Sequence, residues 1–129
     1  MNLNKQFVLF LVAGGTAALC NFGSRIVINK WLDFNISVIL AYCLGMVVAY
    51  SLFRIFVFTE RKTPVLSSTV KFVLVNVVAV LQTYFISVYL NMFLQAHIDW
   101  SYTEEIAHAV GIVVPVITSF IGHKYFSFK

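Results

Sequence analysis

Four runs of about 20 mostly apolar residues dominate the chain, and a run of that length is what a helix needs to cross the hydrocarbon core of a bilayer. They extend from about Phe7 to Ile28, Ile36 to Phe58, Phe72 to Leu94 and Ile106 to Phe126. They are too long, and too poor in apolar/polar alternation, to be barrel strands. Within 129 residues they leave room only for short connections. Composition points the same way. Hydrophobic residues make up 60% and charged residues 11%, against about 25% charged in a soluble domain. So few charges cannot cover a soluble surface, and so many aliphatic and aromatic residues exclude intrinsic disorder. The expected fold is an all-α membrane protein, a single transmembrane domain over residues 1–129.

The first run starts after Lys5 and contains small residues around Ala17-Ala18, as a signal peptide does. It is longer than a signal peptide core, carries Asn21 and Arg25 near its end and lacks a clean cleavage pattern, so a retained span is expected. Orientation follows from Lys and Arg in the connections. Lys5 precedes the first span; Arg54, Arg61, Lys62 and Lys71 surround the second connection; Lys124 and Lys129 follow the fourth span. The first connection has Lys30 beside Asp33, and the third has Asp99, Glu104 and Glu105 without a cation. This places both termini on the cytoplasmic side, N-in and C-in. The net charge of +4 is then mainly a topology signal. It is not a nucleic-acid footprint, because the cations flank apolar helices instead of clustering on a soluble face.

Trp31 and Trp100 fall in the predicted outer connections, and Phe56, Phe58, Tyr125, Phe126 and Phe128 at the predicted inner ends, the depths where aromatic side chains anchor spans. Cys20 and Cys43 lie inside predicted spans and read as small apolar residues, not as a disulfide or a metal pair. No cofactor or metal is expected.

The chain also repeats itself. The first span opens Phe7-Val8-Leu9-Phe10 and the third Phe72-Val73-Leu74-Val75. The second ends with Ala49-Tyr50, then Arg54, Phe56 and Phe58; the fourth ends with Ser119-Phe120, then Lys124, Phe126 and Phe128. In each ending an aromatic precedes a cation by one helical turn and two further aromatics alternate after it. Each half is therefore a two-helix hairpin. Halves with an even number of spans share one orientation, as in parallel transporter repeats.

These residues resemble the GtrA-like family of small four-span membrane proteins. The likeness runs from about Phe7 to Phe128. It rests on the opening Phe7-x-x-Phe10 followed by Gly14-Gly15, the span layout and the two aromatic-cation-aromatic endings. Members usually show Asn-Phe before the cation, where this chain has Ala49-Tyr50 and Ser119-Phe120, and many carry an acidic residue near the position of Asn21. The resemblance implies translocation of a polyprenyl-phosphate-linked sugar, such as undecaprenyl phosphate-glucose, across the cytoplasmic membrane for cell-surface polysaccharide synthesis. No enzyme activity is expected, because the i, i+4 pair Glu104 and His108 has no nucleophile or third ligand at a recognisable spacing. The alternatives are a membrane assembly partner of a glycosyltransferase and a small-multidrug-like exporter. The exporter would need a membrane-embedded carboxylate, and the first span has none.

Polar groups inside spans are costly and usually pack inward or line a wet cavity. Helical spacing groups Gly14, Ala18, Asn21 and Arg25 on the first span, Asn76, Thr83 and Ser87 on the third, and Glu104, His108, Gly111, Pro115 and Gly122 on the fourth. Three readings stand for Arg25: an ion pair with Glu104 or Glu105, a headgroup site with those residues and His108, or snorkelling to the interface. Arg54 and Lys124 hold matching repeat positions, near in depth to Lys71, Arg61, Lys62 and His123. They either anchor topology or receive a lipid phosphate. The expected phosphate-binding set is thus Arg25, Arg54 and Lys124, with Asn21, Asn76, Thr83, Glu104, Glu105, His108 and Ser119 lining the path. Pro115 is expected to interrupt the fourth helix, since it cannot donate to the Gly111 carbonyl. Ala41, Gly45 and Ala49 form a small-residue ladder suited to close helix contact. Four short helices barely enclose such a headgroup, so a homo-oligomer, most simply a dimer, is expected among membrane lipids.

Overall fold

The computed structural model describes residues 1–60 and 62–129; Arg61 lies outside the described residues. All regular structure in them is helical. Two compact units divide the chain, Met1–Arg61 and Lys62–Lys129, and each is an antiparallel helical hairpin. The first consists of α1 (Leu3–Ile28), α2 (Phe34–Leu52) and a π-helical turn at Phe53–Val57. The second consists of α3 (Val65–His97), α4 (Thr103–Gly122) and a π-helical turn at His123–Ser127. Counting each π turn with its helix, all four helices are long and apolar enough to cross a membrane.

The helices exceed the apolar runs. α1 starts four residues before Phe7, α3 seven before Phe72, and α4 three before Ile106. The reason is that polar residues begin these helices without ending them. Asn2 caps α1 by accepting from the Asn4 N–H at 3.0 Å, which satisfies one of the unpaired amides of a first turn. Pro64 precedes the first helical residue of α3, and the early Ser68 and Thr69 hydroxyls donate to the Val65 carbonyl at 3.1 and 2.8 Å. Pro115 does not end α4, contrary to the expected interruption; the helix runs through it to Gly122. The departure from α geometry comes later, in the π turn.

Large aliphatic side chains point outward in each unit. Val12, Leu19, Ile39, Val47, Leu66 and Val113 are all exposed. Small and polar residues fill the seams: Ala13, Ala17, Ser37 and Ala41 in the first hairpin, Ser68, Thr103 and Ala107 in the second. Lipid tails are as apolar as leucine, so helices in a bilayer gain by close van der Waals approach instead of by hiding aliphatics. Gly45 is the contact point of the first seam. A Cβ there would lie 2.9 Å from Asn21 Cβ and 3.3 Å from the Ala17 carbonyl oxygen. Gly111 does the same in the second, facing the Ser87 hydroxyl and lying 3.0 Å from the Thr83 carbonyl oxygen by the same measure.

The two hairpins repeat one plan. The burial pattern along 51–59 is identical to that along 121–129, and both π turns begin at the third residue of that stretch. Phe10 stacks on Phe53 at 4.7 Å, and Phe72 stacks on His123 at 4.9 Å. Phe10, not Phe7, is therefore the counterpart of Phe72, and the expected register of α1 against α3 shifts by one helical turn. The π turns explain the packing that follows. In an α-helix the residue five positions on lies about 140° round the axis. The i to i+5 bond of a π turn brings it back to nearly the same side. The Phe58 N–H donates to the Phe53 carbonyl at 2.8 Å and the Phe128 N–H to the His123 carbonyl at 2.9 Å. Phe53 and Phe58 are both buried in consequence, meeting edge to face at 6.1 Å. Phe128 and His123 are buried against Phe72 in the same way.

Candidate functional site

The π turns set the positions of two cations. Arg54 and Lys124 each follow the buried residue that opens the turn, and each is half-buried. Arg54 Nη1 donates to Tyr50 Oη at 3.2 Å, one helical turn back. Lys124 Nζ lies 6.0 Å from the Phe120 ring centre and 5.7 Å from that of Tyr125. Aromatic faces hold a cation electrostatically without consuming its hydrogen-bond donors. Each π turn thus carries one half-buried positive charge set among aromatic side chains.

Arg25 has a different setting. It is half-buried near the end of α1, with its guanidinium 5.3 Å from the Phe22 ring centre and 5.4 Å from that of Phe34. Asn21 is half-buried one turn earlier, packed against Gly45 in the seam of the first hairpin.

In the second hairpin two clefts flank the seam of α3 and α4. One, of about 430 Å³, brings together Asn76, Thr83, Ser87, Tyr84 and His108 among Ala79, Val80 and Val88. Polar side chains stand among apolar ones in its wall, and among the described residues no Asp, Glu, Lys or Arg lines it. Asn76 Nδ2 donates to the Phe72 carbonyl at 2.9 Å. Among the described residues, the buried Ser87 hydroxyl oxygen and Asn91 carboxamide oxygen have no hydrogen-bond partner. A buried polar atom without a partner costs about 1–3 kcal/mol, and the Ser87 oxygen carries that cost where it faces Gly111 in the seam. The other cleft, of about 320 Å³, is lined by Leu74, Val75, Val78, Ser119, Gly122 and Phe126, with Gln82 and Thr118 at one end. The Thr118 hydroxyl donates to Gln82 Oε1 at 2.6 Å.

Of the residues expected to line a path, Asn76, Thr83 and His108 thus share one cleft and Ser119 belongs to the other. Glu104 and Glu105 are exposed in the first turn of α4, outside both linings. Carboxylates there face the positive end of the helix dipole. Tyr50 as the partner of Arg54 is readable from their four-residue spacing. The Gln82–Thr118 bond joins two helices, and no local spacing announces it.

The relationship to known proteins agrees with this arrangement. Residues 9–128 match the transmembrane domain of the GtrA/DPMS family, which spans both hairpins and both π turns. No curated protein matches the chain. The family match points to a multi-pass membrane protein concerned with lipid-linked sugars. Four spans, two hairpins on one plan and a match over nearly the whole length make the chain a member of the GtrA/DPMS transmembrane-domain family.

Proposed function

We propose that the protein moves a polyprenyl-phosphate-linked sugar across the cytoplasmic membrane, supplying cell-surface polysaccharide synthesis, with both termini inside and two copies associated as a homodimer. The observation that carries this reading is the equivalent placement of Arg54 and Lys124, each half-buried and each one residue into its π turn. A phosphodiester is the anion such heads suit. The polar side chains set in the cleft of the second hairpin support it further. A sugar leaving water loses hydrogen bonds, at several kcal/mol for each group left unsatisfied in an apolar medium. Asn76, Thr83 and His108 offer replacements along the membrane-spanning part of the second hairpin. Arg25, at the opposite end of its helix from the π-turn end of the hairpin, holds the phosphate on the outer side.

The middle of every span lacks Asp and Glu, so there is no embedded carboxylate of the kind that proton-coupled exchangers use. Transport runs down the lipid gradient, drawn by consumption outside, and the protein performs no covalent step. The test is reconstitution into vesicles containing a polyprenyl-phosphate glucose, reading the rate at which the sugar becomes accessible to an impermeant oxidant. Wild type is expected to accelerate this without a pH gradient. A charge-assisted hydrogen bond is worth about 1.5–3 kcal/mol, so Arg54→Ala and Lys124→Ala should each slow it about 10- to 100-fold. Rates equal to those of protein-free vesicles would refute translocation. Loss of a glycosyltransferase from membranes when the protein is deleted would favour the assembly role instead.

A further inference from the structure

Because the hairpins share one plan, their differences are informative. Counterparts are 70 residues apart on α2 and α4 (Phe53 and His123) and 62 apart on α1 and α3 (Phe10 and Phe72). Applied to the 320 Å³ groove, this pairs Gly122 with Leu52, Val75 with Ala13, Ser119 with Ala49, and Lys71 with Leu9. In the first hairpin a leucine stands where the second has no side chain, and a leucine again where the second has a cation. Gly122 lets Val75 pack directly on α4 at the edge of the groove: a Cβ at that position would come within 3.2 Å of both Val75 methyls. Lys71 lies one turn before Leu74 and Val75, and its ammonium is 5.2 Å from the centre of the Phe126 ring, which forms part of the groove wall.

We propose that this groove is a lipid-tail site specific to the second hairpin, taking the phosphate-proximal isoprene units of the polyprenyl phosphate while Lys71 binds its phosphate. The inference rests on the function proposed above and adds a residue and a surface to it. The wall is apolar where a hydrocarbon chain would lie, formed by Leu74, Val75, Val78 and Phe126. The cation stands at the end where the π turn closes the hairpin, beside the chain and not within its path. The groove is apolar and the ammonium stands beside one of its walls, which suits a hydrocarbon tail ending in a phosphate. Lys71 keeps its three N–H donors while it rests on Phe126, since the ring face accepts the charge and not a directed hydrogen bond.

The test uses the full chain purified in detergent, with a polyprenyl monophosphate and dioleoyl phosphatidylglycerol as separate probes in native mass spectrometry. Two variants copy the first hairpin. Val75→Ala with Gly122→Leu moves the bulky side chain from α3 to α4 and so reshapes the groove wall with a pair already accommodated at Ala13 and Leu52. Lys71→Leu removes the cation, and Lys71→Arg keeps it. Wild type is expected to retain the polyprenyl phosphate at least ten-fold better than phosphatidylglycerol. Lys71→Leu and the double variant should each lose ten-fold or more of that retention, and Lys71→Arg should hold it. Equal retention of both probes by wild type, or wild-type retention by both loss variants, overturns the proposal; should the double variant fail to fold, the Lys71 pair still decides. If transport in vesicles proceeds while the groove variants bind normally, the groove is wrong and translocation stands. If the groove binds as described and vesicles show no transport, the reverse holds.

Discussion

Replacing Gly45 with alanine isolates the helix contact on which the first hairpin depends. The added methyl would sit 2.9 Å from Asn21 Cβ, 3.3 Å from the Ala17 carbonyl oxygen and 3.5 Å from Asn21 Cγ. A Cβ cannot rotate away and neither can a backbone oxygen, so α1 and α2 must separate by several tenths of an ångström. Overpacking of this kind costs about 1–3 kcal/mol. Alanine also favours the helix over glycine by about 0.8–1 kcal/mol, so the net loss should be about 0–2 kcal/mol. Gly15 provides the control. A Cβ there meets nothing within 4 Å, and Gly15→Ala should show the helix gain alone. The difference between the two variants, about 1–3 kcal/mol, is then the contact term. Reversible unfolding in mixed micelles, followed by circular dichroism, measures both. Asn21→Gly removes the opposing Cβ and should make Gly45→Ala tolerable in a double-mutant cycle. Two alanine variants of equal stability, or a cycle with no coupling, would refute the claim that α1 and α2 touch at this point.

Two further outcomes concern the aromatic and polar closures at the π turns. Phe72 is almost fully buried against His123 and Phe128, so Phe72→Ala should cost about 3–5 kcal/mol, whereas Phe22→Ala, on an exposed ring, should barely move the same unfolding midpoint. Gln6 Nε2 donates to the Val57 carbonyl at 2.9 Å within the buried end of the first hairpin. Gln6→Leu should destabilise by about 1–3 kcal/mol by orphaning that carbonyl, and hydrogen exchange should rise at Phe58 but not at its counterpart Phe128.

Hydropathy made the four spans legible, because length and apolarity alone identify a membrane helix. It could not phase them. The buried stripe of α1 is Gln6, Phe10, Ala13 and Ala17, while Val12 and Leu19 face outward. Assigning the most apolar residues to the core gives the wrong face, and the α1/α3 register slips by a turn because Phe7-Val8-Leu9 matches Phe72-Val73-Leu74 letter for letter while packing pairs Phe10 with Phe72. Helix starts were misjudged where Ser68 and Thr69 lowered the local hydropathy while bonding back into their own helix. The polar grouping of Asn76, Thr83 and Ser87 was legible because three polar residues at helical spacing stand out against an apolar background. The π turns were not: Arg54-Ile55-Phe56 and Lys124-Tyr125-Phe126 are compatible with an ordinary α-helix, and the buried neighbours of Phe58 and Phe128 select the wider turn. The repeat itself could be read from the two endings, and what distinguishes the halves, Leu52 against Gly122, acquires meaning only once the groove beside it is known.

Each hairpin carries its own seam and its own aromatic clasp, and this bears on how the chain is made. The clasp of the first pair, Phe10 on Phe53 with Phe58 behind, is made wholly of residues that precede α3. The pair can therefore close without any residue of the second, and the second pair can close by the same steps afterwards. Insertion two helices at a time spares the nascent chain any wait for distant residues.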